Sequence, residues 1–252
     1  MKKNILIFMP LIDGGGVEKN LFLVSNFLIK KFKEITLITI SKKYKKKFDK
    51  SIKFVSLSLD IWSKFGKKFQ YLLALILLIK EILNNKNLIV FSFQANIYCI
   101  IICKLFGVKV ISRSNTAPTG WSKNWFKRNI FRIILNLADK VMVNSLQFKK
   151  DLKKEFNLEA ICIYNPLNVK EIKAKSKKKA LPIFKSKNKL KILNIGRFTE
   201  QKDQITFLKS LNDLKKNFRY EAVLIGKGVL ETDLKKYIKK NNLINNDKIL
   251  NF

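Results

Sequence analysis

Three consecutive glycines, Gly14, Gly15 and Gly16, follow a short apolar run and precede the first helical pattern of the chain. Because glycine has no side chain, the backbone here can approach a ligand closely, and the free N–H groups of a helix start favour an anion. The segment contains neither the dinucleotide pattern G-x-G-x-x-G nor a P-loop. We expect a ligand-binding loop, with a tight strand-to-helix turn as the alternative.

A second candidate site lies at Gly196, Arg197 and Lys202, where a short apolar run ends. Ligands of open α/β sheets bind outside the carboxyl ends of strands, and a guanidinium offers a planar fork for phosphate oxygens. The chain has 47 lysines but only five arginines. An arginine directly after a strand-end glycine is therefore informative, and we predict a phosphate-binding turn.

These two loops belong to a regular alternation of strand and helix patterns. In the first part of the chain we predict strands at 5–9, 35–40, 52–57, 88–91, 108–112, 140–143 and 160–163, and helices at 17–30, 69–83, 95–106, 125–138 and 146–156. Further along we predict strands at 190–195, 220–225 and 248–251, and helices at 204–216 and 230–240. This alternation is typical of parallel βαβ units, so we predict an α/β fold with a doubly wound parallel sheet.

The same patterns divide the chain into two domains. We predict an N-terminal Rossmann-like domain over 1–168, a lysine-rich linker over 169–189 and a second Rossmann-like domain over 190–252. A complete α/β domain of this kind needs roughly 150 residues. We therefore expect the second domain to be incomplete in this chain.

The composition excludes several classes of chemistry. The chain has no histidine, which rules out Ser-His-Asp, Cys-His and other histidine-dependent mechanisms within it. Cys99 and Cys103 would share one helix face, and with Cys162 they fit reduced thiols of a cytosolic protein. Without histidine or a second cysteine pair, we interpret them as packing residues and predict no metal site.

The net charge of +34 indicates an anionic partner. The lysines are scattered and no nucleic-acid-binding motif is present, so we expect no specific nucleic acid. Anionic phospholipids and phosphorylated substrates fit such a surface better. A basic nucleotide- or nucleic-acid-binding module without catalysis is the alternative. The longest apolar run, Tyr71–Ile79, is shorter than the roughly 20 residues of a membrane span, and we expect a cytoplasmic protein.

Five motifs in this order resemble family 4 glycosyltransferases, which have the two-domain GT-B fold. They are the glycine loop ending at Glu18, the segment Ala138–Ser145, the pair Asn165-Pro166, the turn Gly196–Lys202, and Gly226-Lys227-Gly228. Each motif alone is weak, but together they cover essentially the whole chain. The resemblance implies an enzyme, of the hexosyltransferase type.

The resemblance also implies a reaction and a donor site. Such enzymes transfer a sugar from a nucleotide sugar with retention at the anomeric carbon and without a metal or other cofactor; a UDP-sugar is the default donor, and GDP-sugars are the other option. The three glycines would approach the donor, Arg197 and Lys202 would neutralise the departing diphosphate, and Gly226 and Gly228 would line the nucleoside side. The family's acidic signature, two glutamates separated by seven residues, lies beyond the end of this chain. We therefore expect this segment to be inactive or to be part of a longer enzyme.

The catalytic residues stay unassigned, with three candidates. Arg113 and Asn115 stand where many relatives place a histidine, and they would contact hydroxyls or phosphates of acceptor or donor; a turn-capping asparagine and a surface arginine are the alternative. Glu18 would serve in the site or favour the helix N-terminus through the dipole.

The acceptor is expected to be a glycan or a lipid-linked molecule in the synthesis of surface polysaccharide or lipopolysaccharide. Aromatic and basic residues lie close together in one segment: Trp121, Lys123, Trp125, Phe126, Lys127 and Arg128. Such a segment suits contact with an anionic membrane surface. The alternative is that its aromatic side chains pack the next helix. We expect a peripheral enzyme at the inner face of the cytoplasmic membrane.

Overall fold

The computed structural model describes residues 3–12, 15–57, 66–115, 124–178, 183–243 and 247–250. The chain divides into two compact units, Met1–Ile172 and Lys173–Phe252.

The first unit is built on a sheet of seven parallel strands in the order β3-β2-β1-β4-β5-β6-β7. The strands are β1 (Asn4–Phe8), β2 (Ile35–Ile38), β3 (Lys53–Val55), β4 (Leu88–Ser92), β5 (Lys109–Ser114), β6 (Lys140–Val143) and β7 (Ala160–Cys162). Chain order reverses at β1, which pairs Ile5 with Ile35 of β2 on one side and with Ile89 of β4 on the other. In open α/β sheets this switch point marks the crevice where ligands bind.

Helices cover both faces of this sheet. They are α1 (Gly16–Leu28), α2 (Lys67–Asn84), α3 (Asn96–Leu105), α4 (Trp125–Asn136) and α5 (Leu146–Phe156). Buried side chains of α2, α3, α4 and α5 share one apolar cluster with the strands, and α1 packs into a second cluster through Leu21. The predicted alternation of strands and helices in this unit is confirmed.

A helix that the sequence patterns did not predict, α6 (Val169–Ser176), spans the boundary between the two units and lies within the predicted linker. None of its residues is buried, so it has no apolar periodicity to reveal it. Asn168 caps its first turn, since its Oδ1 accepts a 3.1 Å hydrogen bond from the backbone N–H of Glu171. The Asn-x-x-Glu spacing is the signal that would have located the helix.

The second unit carries a parallel three-stranded sheet in the order β10-β9-β8. Its strands are β8 (Leu190–Ile195), β9 (Tyr220–Ile225) and β10 (Asp247–Leu250), and its helices are α7 (Gln204–Leu214) and α8 (Glu231–Lys240). Its apolar cluster includes Phe198, Leu208, Leu224 and Leu234. No described helix in either unit combines the length and the apolar character needed to cross a bilayer.

Candidate functional site

The glycine loop meets α1 at Gly15, which is the N-cap residue of this helix. A Cβ atom on Gly15 would lie 2.8 Å from Oε2 of Glu18, whose side chain is buried. The carboxylate of Glu18 thus folds back over the first turn, where the helix dipole favours negative charge. A Cβ atom on Gly16 would meet nothing within 4 Å. Gly14 lies outside the described residues.

Arg113 lies near the carboxyl end of β5 and is only 3% exposed. Its Nη2 donates a 2.6 Å hydrogen bond to Oδ1 of Asn165, and its Nε donates a 3.3 Å bond to Oδ1 of Asn115. The guanidinium carbon also lies 5.1 Å from the ring centroid of Phe93, within cation–π range. The predicted alternative of a surface arginine is therefore wrong, because this side chain is buried.

No carboxylate among the described residues neutralises Arg113. Its hydrogen-bond acceptors there are the neutral amides of Asn115 and Asn165. Burial lowers the pKa of Arg113 from its ordinary value, but an arginine keeps its proton in proteins. A buried cation without a counter-ion is costly, and an anionic ligand would offset that cost.

A cavity of about 340 Å³ opens beside this guanidinium, at the carboxyl ends of β4 and β5. Its lining combines polar groups with apolar walls from α3 and α4: Phe93, Gln94, Asn96, Ile97, Arg113, Ser114, Asn115, Phe131 and Leu135. We call it the Arg113 cavity. Such a mixture of apolar walls and few polar groups is typical of small-molecule sites.

Three polar residues of this region were not predicted from the sequence to belong to a site. Asn96 accepts a 2.7 Å hydrogen bond from Oγ of Ser92 and donates a 2.8 Å bond to the backbone oxygen of Arg113, which fixes the end of β5. Oε1 of Gln94 accepts a 3.2 Å bond from the N–H of Leu11, which ties the end of β4 to the segment after β1. Asn165 belongs to the Asn165-Pro166 motif, and that motif was the one sequence feature that could have pointed to this residue. Nothing in the sequence marks Asn96 or Gln94, because the backbone groups that they bind, the oxygen of Arg113 and the N–H of Leu11, are 17 and 83 positions away.

In the second unit, Arg197 follows β8 and Lys202 ends a short 3₁₀ turn. A Cβ atom on Gly196 would lie 3.8 Å from Cγ of Lys202, so the lysine stem runs beside the same glycine that Arg197 follows. Both side chains are exposed, and neither forms an ion pair with a described carboxylate. The fold thus gathers two free cations at the carboxyl end of β8.

Side chains that follow the turn fix the backbone that carries these two cations. Gln204, which is buried, donates a 3.0 Å hydrogen bond from Nε2 to the backbone oxygen of Arg197. Asp203 has φ of 46° and caps α7 by accepting a 3.3 Å bond from the N–H of Thr206. The backbone from Gly196 to Asp203 is therefore fixed by buried and capping contacts.

Gly226 and Gly228 contact the backbone of this turn. A Cβ atom on Gly226 would overlap the carbonyl oxygen of Gly196, and one on Gly228 would overlap that of Phe198. The N–H of Phe198 donates a 2.9 Å hydrogen bond to the oxygen of Lys227 between them. Glycine is required at both positions because two backbone segments touch, a packing role that the sequence alone did not reveal.

The motif Ala138–Ser145 has structural roles in the first unit. Oδ2 of Asp139 accepts hydrogen bonds from Nζ of Lys104 at 2.7 Å and from the N–H of Val110 at 2.8 Å. Burial works to raise the pKa of Asp139, but these bonds and the charge of Lys104 outweigh it and hold the pKa below its ordinary value. Ser145 caps α5, since its Oγ accepts a 3.1 Å bond from the N–H of Phe148.

Cysteine and metal chemistry find no support in the described part of the chain. Cys99, Cys103 and Cys162 are free thiols, and burial raises the pKa of Cys99. No three His, Cys, Asp or Glu side chains of the described ranges come close enough to hold a metal ion.

No protein-family model matches the sequence, and no curated protein matches it significantly. Solved structures do match. HepE of Anabaena, determined with UDP and glucose, superposes with a TM-score of 0.67 at 14% identity, over 99% of this chain and 69% of HepE. A glycosyltransferase from Rickettsia africae gives a TM-score of 0.65 at 20% identity, over 99% of this chain and 68% of that one.

The lipopolysaccharide outer core galactosyltransferase WaaB also matches, with a TM-score of 0.62 at 16% identity, over 99% of this chain and 68% of WaaB. At these identities the similarity concerns the fold. The structural neighbours are glycosyltransferases of the GT-B type. The predicted α/β, GT-B-like fold is confirmed.

Proposed function

We propose that this chain belongs to an enzyme that transfers a hexosyl group from a nucleotide sugar to a glycan or lipid-linked acceptor. The observation that carries the proposal is the pair of free cations, Arg197 and Lys202, on a rigid turn at the carboxyl end of β8. That edge of a parallel sheet is where nucleotides bind. The HepE structures contain UDP, UDP-glucose, or UDP with glucose, which favours a UDP-sugar as donor.

In the proposed reaction an acceptor hydroxyl oxygen bonds to the anomeric carbon while the bond from that carbon to the diphosphate breaks. The electron pair stays on the diphosphate, whose oxygen takes up the hydroxyl proton. Arg197 and Lys202 stabilise the negative charge that grows there, as a divalent ion does in other transferases, so we assign no metal. Retention at the anomeric carbon is part of this proposal, and it rests on the resemblance to family 4.

The Arg113 cavity is our candidate for the acceptor side. Its buried and uncompensated guanidinium fits a phosphate or carboxylate of the acceptor, and Asn115 and Asn96 add groups for hydroxyls. Lipid-linked saccharides carry such a phosphate. We place the enzyme in polysaccharide or lipopolysaccharide synthesis, at the inner face of the cytoplasmic membrane, and the function in the name of WaaB agrees with that pathway class.

The decisive experiment is calorimetry of UDP, GDP and a short oligonucleotide with the wild-type chain and with Arg197→Ala. Loss of a charge-assisted contact costs about 1.5–3 kcal/mol, so the variant should bind the diphosphate roughly tenfold to a hundredfold more weakly. Arg219→Ala is the matched control, because Arg219 is exposed and precedes β9 at the opposite, amino edge of the same sheet.

Saturable binding of one nucleotide that only Arg197→Ala weakens would support the proposal. Binding of the oligonucleotide alone, equally sensitive to both substitutions and fading with salt, would replace it with a charge-driven binding module.

A further inference from the structure

Three neighbouring helices of the first unit expose apolar stripes on their outer sides. On α3, Tyr98, Ile101 and Leu105 follow one another at spacings of three and four residues, and Leu105 is 78% exposed. Such spacing places side chains on one side of a helix. The opposite side of α3, with Cys99, is buried in the core. This helix is therefore apolar on both its inner and outer sides.

The flanking helices repeat the pattern. The exposed side chains Phe126, Ile130 and Ile133 of α4, and Leu137 at its C-cap, follow the same spacing. Trp125, at the start of this helix, is 75% exposed.

On α2 the exposed side chains are Phe69, Leu72, Ile76 and Leu83. Leu72 also lines a groove together with Tyr98 of α3, so these two stripes adjoin. Because all three helices pack on the same face of the sheet, their outer sides point the same way. We call this surface the three-helix face.

Charge distinguishes the three-helix face from a generic apolar patch. The helices α2, α3 and α4 together carry seven basic residues and one acidic residue, Glu81. Glu81 is paired with Lys53 at 3.1 Å. Lys80, Lys127 and Arg132 form no ion pair with any carboxylate that the structure describes. The face thus combines exposed apolar side chains with free positive charge.

The next helix along the sheet shows that this is a local property. α5 packs on the same face of the sheet, yet its exposed residues are mainly Lys149, Lys150, Lys153 and Lys154. Exposed apolar stripes are therefore a feature of α2, α3 and α4 and not of every helix on this face of the sheet.

We propose that the three-helix face docks on an anionic lipid bilayer, with its apolar stripes in the interface and its cations against phosphate head groups. Amphipathic helices with aromatic and aliphatic side chains on one side and Lys or Arg beside them bind membranes in this way. A protein partner would require matching acidic and apolar surfaces, whereas an anionic bilayer offers both over any area. The inference deepens the membrane location in the proposed function and rests on it only for its biological setting.

The test is flotation of the chain with vesicles of phosphatidylcholine and phosphatidylglycerol in equal amounts, at a salt concentration that screens long-range charge. Vesicles of phosphatidylcholine alone serve as the neutral comparison. The variant Ile130→Ser/Ile133→Ser removes two exposed stripe residues and should reduce the partition coefficient about tenfold or more. The variant Lys127→Gln/Arg132→Gln should reduce it about fivefold per charge on anionic vesicles only.

The matched control is Phe27→Ser/Val229→Ser, which removes two exposed apolar side chains outside the three-helix face. It should bind vesicles as the wild-type chain does, and thermal denaturation should show that all variants stay folded, since the substituted residues are exposed. Equal loss in the control and the Ile130→Ser/Ile133→Ser variant, or no loss in either, would overturn the proposal.

A second copy of the chain is the competing occupant. The wild-type chain would then form dimers in sedimentation that only Ile130→Ser/Ile133→Ser dissociates, and it would not bind vesicles. That result would assign the face to self-association instead. Because vesicle binding is measured without nucleotide sugar, Arg197→Ala should leave it unchanged. A result that contradicts the donor site can therefore be told apart from a result that contradicts membrane docking by the three-helix face.

Discussion

Nη2 of Arg113 donates a 2.6 Å hydrogen bond to Oδ1 of Asn165, and this bond joins the end of β5 to the segment after β7. The two residues are 52 positions apart in the chain, and β6 lies between their strands in the sheet. A neutral amide thus occupies a place where a buried arginine would ordinarily have a carboxylate. The guanidinium keeps its full positive charge for a ligand in the Arg113 cavity.

Replacing Arg113 should separate the effect of this residue on the free energy of unfolding from its role in binding an anionic ligand. We expect Arg113→Gln to change the free energy of unfolding by less than about 1 kcal/mol, because loss of hydrogen bonds is offset by removal of a buried, uncompensated charge. Inorganic phosphate should raise the melting temperature of the wild-type chain but not that of the variant.

Arg113→Lys serves as the control for charge. It should keep part of the phosphate effect, since lysine supplies the charge without the planar fork. A large loss of stability in Arg113→Gln, together with an unchanged phosphate effect, would show that Arg113 only supports the fold.

The close approach of Gly226 to Gly196 makes a sharp stability prediction. Gly226→Ala would force two backbone segments of the second unit apart, and we expect it to lower the free energy of unfolding by about 2 kcal/mol or more. Urea denaturation followed by circular dichroism measures the change. Gly16→Ala is the control, because its new Cβ atom meets nothing within 4 Å, and it should leave stability unchanged.

The two glycine variants also test ligand approach in the first unit. If the donor passes close to Gly16, Gly16→Ala should weaken nucleotide-sugar binding without affecting the fold. Equal binding by Gly16→Ala and the wild-type chain would contradict the ligand-loop interpretation of the glycine segment.

The contacts of Asp139 predict a pH dependence of stability. We expect Asp139→Asn to lower the free energy of unfolding by about 1 kcal/mol at neutral pH, since it weakens the bonds to Lys104 and Val110 and the carboxylate is partly exposed. The pKa of Asp139 is lower in the native chain than in the unfolded one, so the carboxylate stabilises the fold above its unfolded pKa and ceases to do so as the pH falls through its native pKa.

The difference between wild type and Asp139→Asn should therefore be constant near neutral pH and shrink below about pH 4. Denaturation curves at several pH values measure it. Asp213→Asn, which removes an exposed carboxylate paired with Lys216, is the control and should show little difference at any pH. A difference that grows on acidification would be inconsistent with the assigned contacts.

The edge of the second sheet predicts self-association. β8 lies at the end of the strand order β10-β9-β8, and Leu193 and Ile195 point to one side of it, with Ile195 70% exposed. An exposed apolar edge strand favours pairing with another chain. Sedimentation velocity should show concentration-dependent association that Leu193→Lys/Ile195→Lys reduces, while Val229→Lys, which changes an exposed residue outside the sheet, does not. A wild-type chain that stays monomeric at all concentrations would refute this.

The alternation of apolar runs predicted nearly every strand and helix that the structure describes. β8 and β9 begin and end where the sequence patterns place them, and α5 does so as well. Local patterns suffice here because strands covered on both faces, such as β2 and β9, form continuous apolar runs, whereas most helices bury a stripe of apolar residues at helical spacing. α6 escaped detection because it buries no side chain.

The tertiary structure alone decided which apolar residues are covered. The run around Leu72 and Ile76 is apolar on most sides of α2, and its sequence gives no sign that these two side chains face solvent while Leu78 is buried. The burial of Arg113 was equally hidden, because its partners Phe93 and Asn165 lie in the segments that follow β4 and β7. The need for glycine at 226 likewise arises from a contact with Gly196, thirty positions away. The sequence determined the strands and helices, because their patterns depend on residues that are neighbours in the chain. Exposure, the pairing of cations and contacts between backbone segments depend on parts of the chain that meet only when the sheet forms.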